Sequence, residues 1–240
     1  MLIPFMNKFL LNLALLLMAQ SAWARPILKY TGEARAIDKI LYIEKHEVTH
    51  DESGKILRSK TEYFDNNQKA LAVLTSDYAH STTTPDYVFE DFRNKSKNGV
   101  RNTAAGIVMF NHDAAKDEDR VTLPSEGKDK RLVFGCQGFN YYVLENLEAL
   151  KAPKSIPIKF LMPGGLEAYN FVMKMKDVTP DGTLNVEIQI ESFFLRLFAP
   201  KLYIQYDTLK KRIIWYQGLS NLNDEKGQPQ NVTITYQYDS

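Results

Sequence analysis

Hydrophobic and polar residues alternate over short stretches of the chain, and clusters of Asp, Asn, Gly and Pro separate these stretches. Alternation with period two is typical of half-buried strands. It predicts strands at Leu41–Thr49, Ile56–Phe64, Leu71–Tyr78, Asp86–Arg93, Gly106–Phe110, Tyr169–Val178, Thr183–Ile190, Leu202–Tyr206, Arg212–Tyr216 and Val232–Tyr238. The segments Asp51–Lys55 and Thr179–Gly182 indicate hairpin turns, and Asn98-Gly99 indicates a further turn. The spacing favours antiparallel meanders over alternating βαβ units.

One segment follows a helical period instead. From Gly138 to Leu150, apolar residues recur on one helical stripe, and Pro153 provides a stop after it. We therefore expect a mainly β (α+β) fold, in which an antiparallel curved sheet or half-barrel carries one packed amphipathic helix. The charged stretch Asn111–Lys130 indicates a solvated loop or an exposed hairpin. No linker or repeat divides residues 25–240, which we interpret as a single β-rich domain.

The first residues match a secretory signal peptide. Lys8 supplies a positive charge, Phe9–Met18 supplies an apolar stretch, and Ala22-Trp23-Ala24 supplies a cleavage site. The alternative is an uncleaved anchor, but the apolar stretch is about half of the roughly 20 residues that a spanning helix needs. We therefore expect residues 1–24 to be removed, leaving a periplasmic or secreted protein without a transmembrane segment.

Charge and cysteine content limit the functions open to the mature chain. Removing residues 1–24 removes Lys8 and no acidic residue, which takes 30 basic and 29 acidic residues to 29 of each. A neutral balance gives no reason to expect nucleic-acid binding, which requires a basic surface. The single cysteine, Cys136, excludes an internal disulfide. Stability must therefore come from packing.

The stretch His46-Glu47-Val48-Thr49-His50 matches the H-E-x-x-H pattern of zinc peptidases. On a helix, His46 and His50 would share a zinc ion, and Glu47 would act as general base. On a strand, the two histidines would stand about 13 Å apart, which is too far to share one ion. The β-forming neighbours favour a strand that pairs with Ile56–Phe64. We therefore expect no metal and no other cofactor, and keep the zinc hydrolase as an alternative.

Two further features concern the interior. Cys136 precedes the helix, where a helix N-terminus can lower a thiol pKa, but a small buried residue at a tight helix entry is the simpler interpretation.

Large apolar side chains on the later strands line either an ordinary core or a ligand cavity. The residues that we predict to line such a cavity are Phe171, Phe193, Phe194, Phe198, Tyr203 and Trp215.

Three stretches resemble a family of exported bacterial proteins of uncharacterised activity. They are YTGEARAIDKILYIEKHEVTH, DESGKILRSKTEYFD and YDTLKKRIIWYQGLSNLNDEKG, which begin at Tyr30, Asp51 and Tyr206. The order of elements also resembles, distantly, the half-barrel of periplasmic lipoprotein carriers of the LolA/LolB type. This second resemblance implies a curved sheet around helices that shelters acyl chains.

These observations predict a non-catalytic exported binding protein of the cell envelope, with a lipid-like or other apolar ligand. The alternatives are the zinc hydrolase described above and an envelope protein–protein adaptor. A carrier would contain an enclosed apolar cavity, whereas an adaptor would present a flat apolar patch.

Overall fold

The computed structural model describes residues 27–114, 117–124, 129–192, 194, 196 and 201–239. The predicted signal peptide, residues 1–24, lies outside the described residues. The strands are β1 (Ile27–Ala36), β2 (Lys39–His50), β3 (Ile56–Phe64), β4 (Ala70–Asp77), β5 (Asp86–Asp91), β6 (Ser96–Thr103), β7 (Gly106–His112), β8 (Asp119–Pro124), β9 (Leu132–Gly135), β10 (Lys154–Met162), β11 (Glu167–Val178), β12 (Thr183–Ile190), β13 (Leu202–Asp207), β14 (Arg212–Leu219) and β15 (Asn231–Tyr238). The helices are α1 (Gly138–Glu145), α2 (Leu147–Leu150) and a 3-10 turn at Pro163–Gly165.

All of these strands form one sheet in the order β8-β7-β6-β5-β4-β3-β2-β1-β15-β14-β13-β12-β11-β10-β9. The two ends of the described chain therefore meet in the middle of the sheet, where β1 pairs with β15 on one side and β2 on the other. Each neighbouring pair is antiparallel except β9 and β10, which run parallel. The predicted class, a mainly β curved sheet that does not close, is confirmed.

The sheet curls so that its later strands reach back to its earlier ones. The 3-10 turn Pro163–Gly165 packs against β6 and β7, and Asn111 Nδ2 donates a hydrogen bond of 3.1 Å to the Gly164 carbonyl. Near the start of α1, the Gly135 N–H donates to the Thr83 carbonyl at 2.9 Å. These contacts turn the inner faces of both halves of the sheet toward one interior.

The interior contains three apolar clusters. One joins the two halves of the sheet, because Tyr63, Leu74 and Phe89 from the first half pack with Leu161 and Ile234 from the second. Another lies beneath the helices and brings together Val143, Leu147 and Leu150 of α1 and α2 with Met173, Ile188 and Tyr206 of the sheet. A third includes Tyr30, Val48, Ile56, Tyr78 and Tyr141. The helices are therefore part of the core.

The helix and the sheet differ from the sequence-based expectation in two respects. The predicted helix at Gly138–Leu150 is two segments, because Asn146 interrupts it and turns its side-chain amide back to the Tyr142 carbonyl at 2.8 Å. The meander also contains one βαβ unit, since these helices connect the parallel strands β9 and β10. Parallel neighbours require such a crossover. The predicted antiparallel meander therefore has one exception, at β9 and β10.

The predicted turn at Asn98-Gly99 was wrong. Both residues lie within β6, and the chain reverses earlier, where Lys95 adopts a positive φ of 59°. Glycine is required at position 99 for space, because a Cβ there would lie 2.0 Å from the Tyr87 carbonyl oxygen and 2.9 Å from Phe110 Cζ. In the charged stretch after it, β8 is the exposed strand of a hairpin with β7, one of the two forms expected.

Candidate ligand-binding cavity

The H-E-x-x-H match lies on strand β2. His46 points into the interior with an exposed fraction of 4%, whereas Glu47 lies on the outer face and forms an ion pair of 2.6 Å with Lys29. Successive residues of a strand face opposite sides of the sheet, so the general base of the zinc hypothesis faces away from the first proposed ligand. The helix that this hypothesis needs is absent at His46–His50. The described residues contain no group of three or more His, Cys, Asp or Glu side chains that could hold a metal.

His46 instead belongs to a buried hydrogen-bond network. Its Nε2 lies 2.9 Å from Glu44 Oε2, and its Nδ1 lies 2.9 Å from Thr61 Oγ1 on β3. Gln137, the residue before α1, donates from Nε2 to Thr61 Oγ1 at 3.1 Å, and its Oε1 accepts from Ser59 at 3.3 Å. The network thus connects the entry of α1 to the inner face of β2 and β3.

The donors and acceptors of this network determine which nitrogen of His46 carries a hydrogen. Thr61 Oγ1 accepts a hydrogen bond from Gln137. Among the described residues, the Thr61 hydroxyl hydrogen has one acceptor, which is His46 Nδ1. A neutral imidazole has one donor and one acceptor nitrogen. In a neutral ring with this arrangement, Nδ1 accepts from Thr61 and Nε2 donates to Glu44.

Aromatic rings surround the Glu44–His46 pair. The Tyr30 ring stacks on His46 with centroids 4.2 Å apart, and Tyr236 meets His46 edge to face at 5.7 Å. Gly32 lies between Glu44 and Tyr236 in the sheet register, and a Cβ at this position would lie 3.0 Å from Glu44 Oε2. The absence of a side chain at Gly32 thus leaves the space that the Glu44 carboxylate occupies.

A cavity of about 190 Å³ lies between this part of the sheet and α1. Its polar wall, from β1, β2, β15 and the segments near them, includes Tyr30, Tyr42, Glu44, His46, Gln137, Ser220, Asn221 and Tyr236. Its apolar wall, from α1 and β10 to β13, includes Phe139, Phe160, Met162, Phe171, Ile188 and Leu202. Among the described residues that line it, Glu44 is the one carboxylate, and none is a lysine or an arginine.

Several polar groups of the cavity are already bonded within the protein. Tyr42 Oη and Ser220 Oγ are 2.7 Å apart, and Asn221 Nδ2 donates to the Tyr63 hydroxyl at 3.1 Å. Asn140 differs from them, because its side-chain oxygen is buried and has no hydrogen-bond partner among the described residues. An unpaired buried acceptor costs free energy that a bound donor would recover.

Burial also determines the titration of the groups around the cavity. Burial raises the pKa of the Cys136 thiol to about 12, and the Glu44 carboxylate acts in the same direction. Burial and then Glu44 raise the pKa of Tyr42 well above its usual value. The pKa of this thiol is therefore not lowered by the helix N-terminus, the interpretation that the sequence analysis did not favour. The tight helix entry is present, with a positive φ of 44° at Cys136.

The structure brings one of the predicted cavity residues to this site. Phe171 lines the apolar wall and contacts Phe160, with ring centroids 6.1 Å apart. Tyr203 and Trp215 lie instead along a shallow groove with Lys176, Asn185 and Gln205, away from the cavity. Phe194 is 76% exposed. Phe193 and Phe198 lie outside the described residues.

Sequence reasoning did not identify Glu44 or Asn140. The signal for Glu44 was its position, since it alternates with Tyr42, His46 and Val48 on the face of β2 that is buried. A polar residue at an inward position of a strand is costly to bury and indicates a specific partner. Asn140 had no comparable signal, because its burial depends on the packing of α1 against distant strands.

No protein-family model matches the chain, and no curated protein matches it significantly. A solved structure of a β-barrel-like protein of the domain of unknown function DUF1849 from Brucella abortus is similar at 7% identity and a TM-score of 0.42, covering 90% of this chain and 100% of that one. A porin-like protein from Bacteroides uniformis is similar at 10% identity and a TM-score of 0.27, covering 90% of this chain and 97% of that one. At these scores neither structure indicates a function.

The resemblances to exported bacterial proteins and to LolA/LolB carriers stay predictions. In the part of the chain that the structure describes, no helix has the length and apolar character needed to cross a membrane.

Proposed function

We propose that this protein is an exported, non-catalytic binding protein of the cell envelope whose internal cavity holds a small apolar ligand. The observation that supports this proposal is the cavity between the sheet and α1, which combines a wall of phenylalanine and aliphatic side chains with a few polar groups. This combination is the usual composition of small-molecule sites, in which apolar surface provides affinity and polar groups provide orientation.

The volume of the cavity restricts the size of the ligand. An apolar cavity of about 150 Å³ accommodates one benzene molecule. A cavity of about 190 Å³ therefore suits a single ring or short chain. The ligand is lipid-like in being apolar, but the two acyl chains of a phospholipid exceed this space.

The chemistry of the lining supports binding over catalysis. The Cys136 thiol, with a pKa of about 12, is not ionised at neutral pH and is a poor nucleophile. His46 has both ring nitrogens engaged by Glu44 and Thr61. No observation among the described residues favours the alternative of a protein–protein adaptor, and the strand at His46–His50 argues against the zinc alternative.

Native mass spectrometry of the protein purified from the envelope fraction of its own host tests this proposal. We expect a co-purifying small mass, no stoichiometric zinc, and an N-terminus at Arg25. Binding of toluene, followed by ligand-observed NMR, provides a defined apolar probe. One zinc per chain, or failure to bind any apolar probe, would overturn the proposal.

A pair of variants locates the binding site. Phe171→Trp places a larger side chain at the apolar wall and is expected to abolish toluene binding. Tyr203→Trp makes the same replacement at an aromatic residue outside the cavity and is expected to leave binding unchanged. Melting temperatures of both variants verify that they fold. Equal toluene binding by both variants would place the ligand elsewhere.

A further inference from the structure

We infer that the cavity selects a ligand with a cationic or strongly hydrogen-bond-donating end, such as an amine attached to a short apolar group. This inference rests on the proposed function and specifies the chemistry of its ligand. It assigns Glu44 and Asn140 as the groups that contact the polar end, and the phenylalanine wall as the surface that contacts the apolar end.

The charged side chains that line the cavity favour a cationic ligand. Glu44 is a carboxylate with an exposed fraction of 5%, and no lysine or arginine is present among the described residues lining the cavity. His46 is the one hydrogen-bond partner of Glu44 among the described residues, and its other ring nitrogen bonds Thr61. A buried charge is costly unless it is paired. A ligand ammonium supplies a positive charge that no lysine or arginine of this lining provides, whereas a ligand carboxylate or phosphate would be repelled.

Two buried side chains of the cavity can accept more hydrogen bonds than the described residues donate to them. A carboxylate accepts at about four lone-pair positions, and His46 is the one partner that the described residues provide for Glu44. The Asn140 side-chain oxygen is a second buried acceptor without a partner in the described part of the chain. Glu44, which has one partner and spare acceptor positions, and Asn140 Oδ1, which has none among the described residues, favour a ligand that brings donors.

The aromatic rings of the cavity also favour a cationic ligand. Tyr42, Tyr216 and Tyr236 line the same cavity as Glu44. The faces of tyrosine rings attract cations through their quadrupole, and this attraction is stronger where water is excluded. The burial that raises the pKa of Tyr236 keeps its hydroxyl protonated and its ring neutral at physiological pH. A carboxylate among tyrosine rings is a suitable environment for an ammonium group.

Three ligands with one carbon skeleton test the inference on the unaltered full-length protein. We would measure dissociation constants by calorimetry for 2-phenylethylamine, 2-phenylethanol and phenylacetate, with toluene as the apolar reference. Charge-assisted hydrogen bonds are about twice as strong as neutral ones, so the amine is expected to bind at least about ten-fold more tightly than the alcohol. Phenylacetate is expected to bind most weakly.

Variants of strand β2 identify the group responsible. Glu44→Gln is expected to bring the affinity for the amine to that for the alcohol, because the charge is lost and the shape is kept. Glu47→Gln removes the same charge from the outer face of the strand and is expected to keep the ten-fold preference. If Glu44→Gln does not fold, the ranking of the three ligands on the unaltered protein decides the question.

The outcomes separate this inference from the proposed function. If toluene binds, but the alcohol or phenylacetate binds as tightly as the amine, the inference fails and the proposed function stands. If neither toluene nor any of the three ligands binds, both fail. An amine preference that survives Glu44→Gln would overturn the assignment of Glu44.

Discussion

Glu44 and His46 form a buried pair, and the free energy of folding depends on keeping both members. Removing one partner of a buried ion pair or charged hydrogen bond leaves an uncompensated charge, which costs about 3 to 5 kcal/mol. We therefore expect His46→Leu to lower the free energy of unfolding by about that amount, because Glu44 loses its partner. Chemical denaturation in urea measures this change.

The double variant Glu44→Leu/His46→Leu tests the cause of that loss. It contains no unpaired charge, so it is expected to be more stable than His46→Leu alone. Lys29→Ala is the control, since it removes an exposed ion pair with Glu47 on the outer face and is expected to change stability little. Additive effects of the two leucine substitutions would show that the pair is not coupled.

The close packing around Gly32 leads to a second prediction at the residue scale. An added Cβ would lie 2.9 Å from Ile234 Cγ2 and 2.9 Å from Tyr236 Cε1, and close to Glu44 Oε2. Overpacking of a core typically costs about 1 to 3 kcal/mol, which we expect for Gly32→Ala in urea unfolding. Gly164→Ala is the matched control, because no atom lies within 4 Å of its added Cβ. Equal stability of the two variants would contradict the tight packing at Gly32.

Cys136 provides a third prediction. With a pKa of about 12, the folded chain contains almost no thiolate at pH 8. Since the thiolate is the reactive form, we expect labelling by Ellman's reagent to be at least about a hundred-fold slower in the folded protein than in guanidinium chloride. Glu52→Cys in a Cys136→Ala background introduces an exposed thiol and is expected to react at the ordinary rate. Rapid labelling of native Cys136 would contradict the raised pKa of its thiol.

At the scale of elements, strands next to a clear turn signal were predicted best. The ranges of β3 and β12 were predicted to the residue, because turns with Gly or Asn flank β3 and the Thr179–Gly182 turn precedes β12. β1 was not predicted. It contains few β-branched residues, and its pairing with both β2 and β15 defines it as a strand. Pairing between distant segments is not visible in a local pattern.

β10 was missed for a different reason. Pro157 interrupts its pattern, and proline is normally excluded from the middle of a sheet. The structure accommodates it because β9 pairs only with Ile158–Leu161, so the missing N–H at Pro157 faces no partner strand on that side. Of the candidate site, the sequence indicated an apolar wall that includes Phe171, but not the polar wall built around Glu44.

Hydrogen exchange distinguishes the edge strand β8 from the central strands. β8 pairs with β7 on one side, lies at the end of the sheet, and has almost entirely exposed residues. Local opening of such an edge requires little free energy, so its amide hydrogens are expected to exchange far faster than those of β3, which is paired on both sides. Mass spectrometry of peptic peptides measures both strands in one experiment. Equal protection would indicate that another segment covers the β8 edge.

At the scale of the whole molecule, the cavity depends on how the two halves of the sheet meet. Glu44 and His46 come from β2, whereas Phe160 and Phe171 come from β10 and β11, which are far from β2 along the strand order. The apolar cluster that joins the halves contains Tyr63 and Leu161. The cavity therefore exists only when the entire sheet is folded, and ligand binding is expected to stabilise the molecule as one unit.

The buried tyrosines predict how the whole fold responds to high pH. Burial raises the pKa of Tyr63, Tyr78 and Tyr206 above the usual value of 10.0, and that of Cys136 from 9.0 to about 12. A group with a raised pKa in the folded state contributes stability that is complete below its unfolded pKa and is lost as the pH rises toward the folded value. The free energy of unfolding is therefore expected to be constant near pH 8 and to fall above about pH 9 to 10.

Absorbance of tyrosinate and near-ultraviolet circular dichroism, recorded together from pH 8 to 12, test this expectation. The buried tyrosines should ionise in one step that coincides with the loss of tertiary structure, whereas in guanidinium chloride they should titrate near their usual value. Tyr206→Phe removes a buried hydroxyl that has no hydrogen-bond partner among the described residues, so it is expected to retain stability at pH 7 and to reduce the loss at high pH. Ionisation of these tyrosines near pH 10 in a chain that remains folded would show that their hydroxyls are open to solvent.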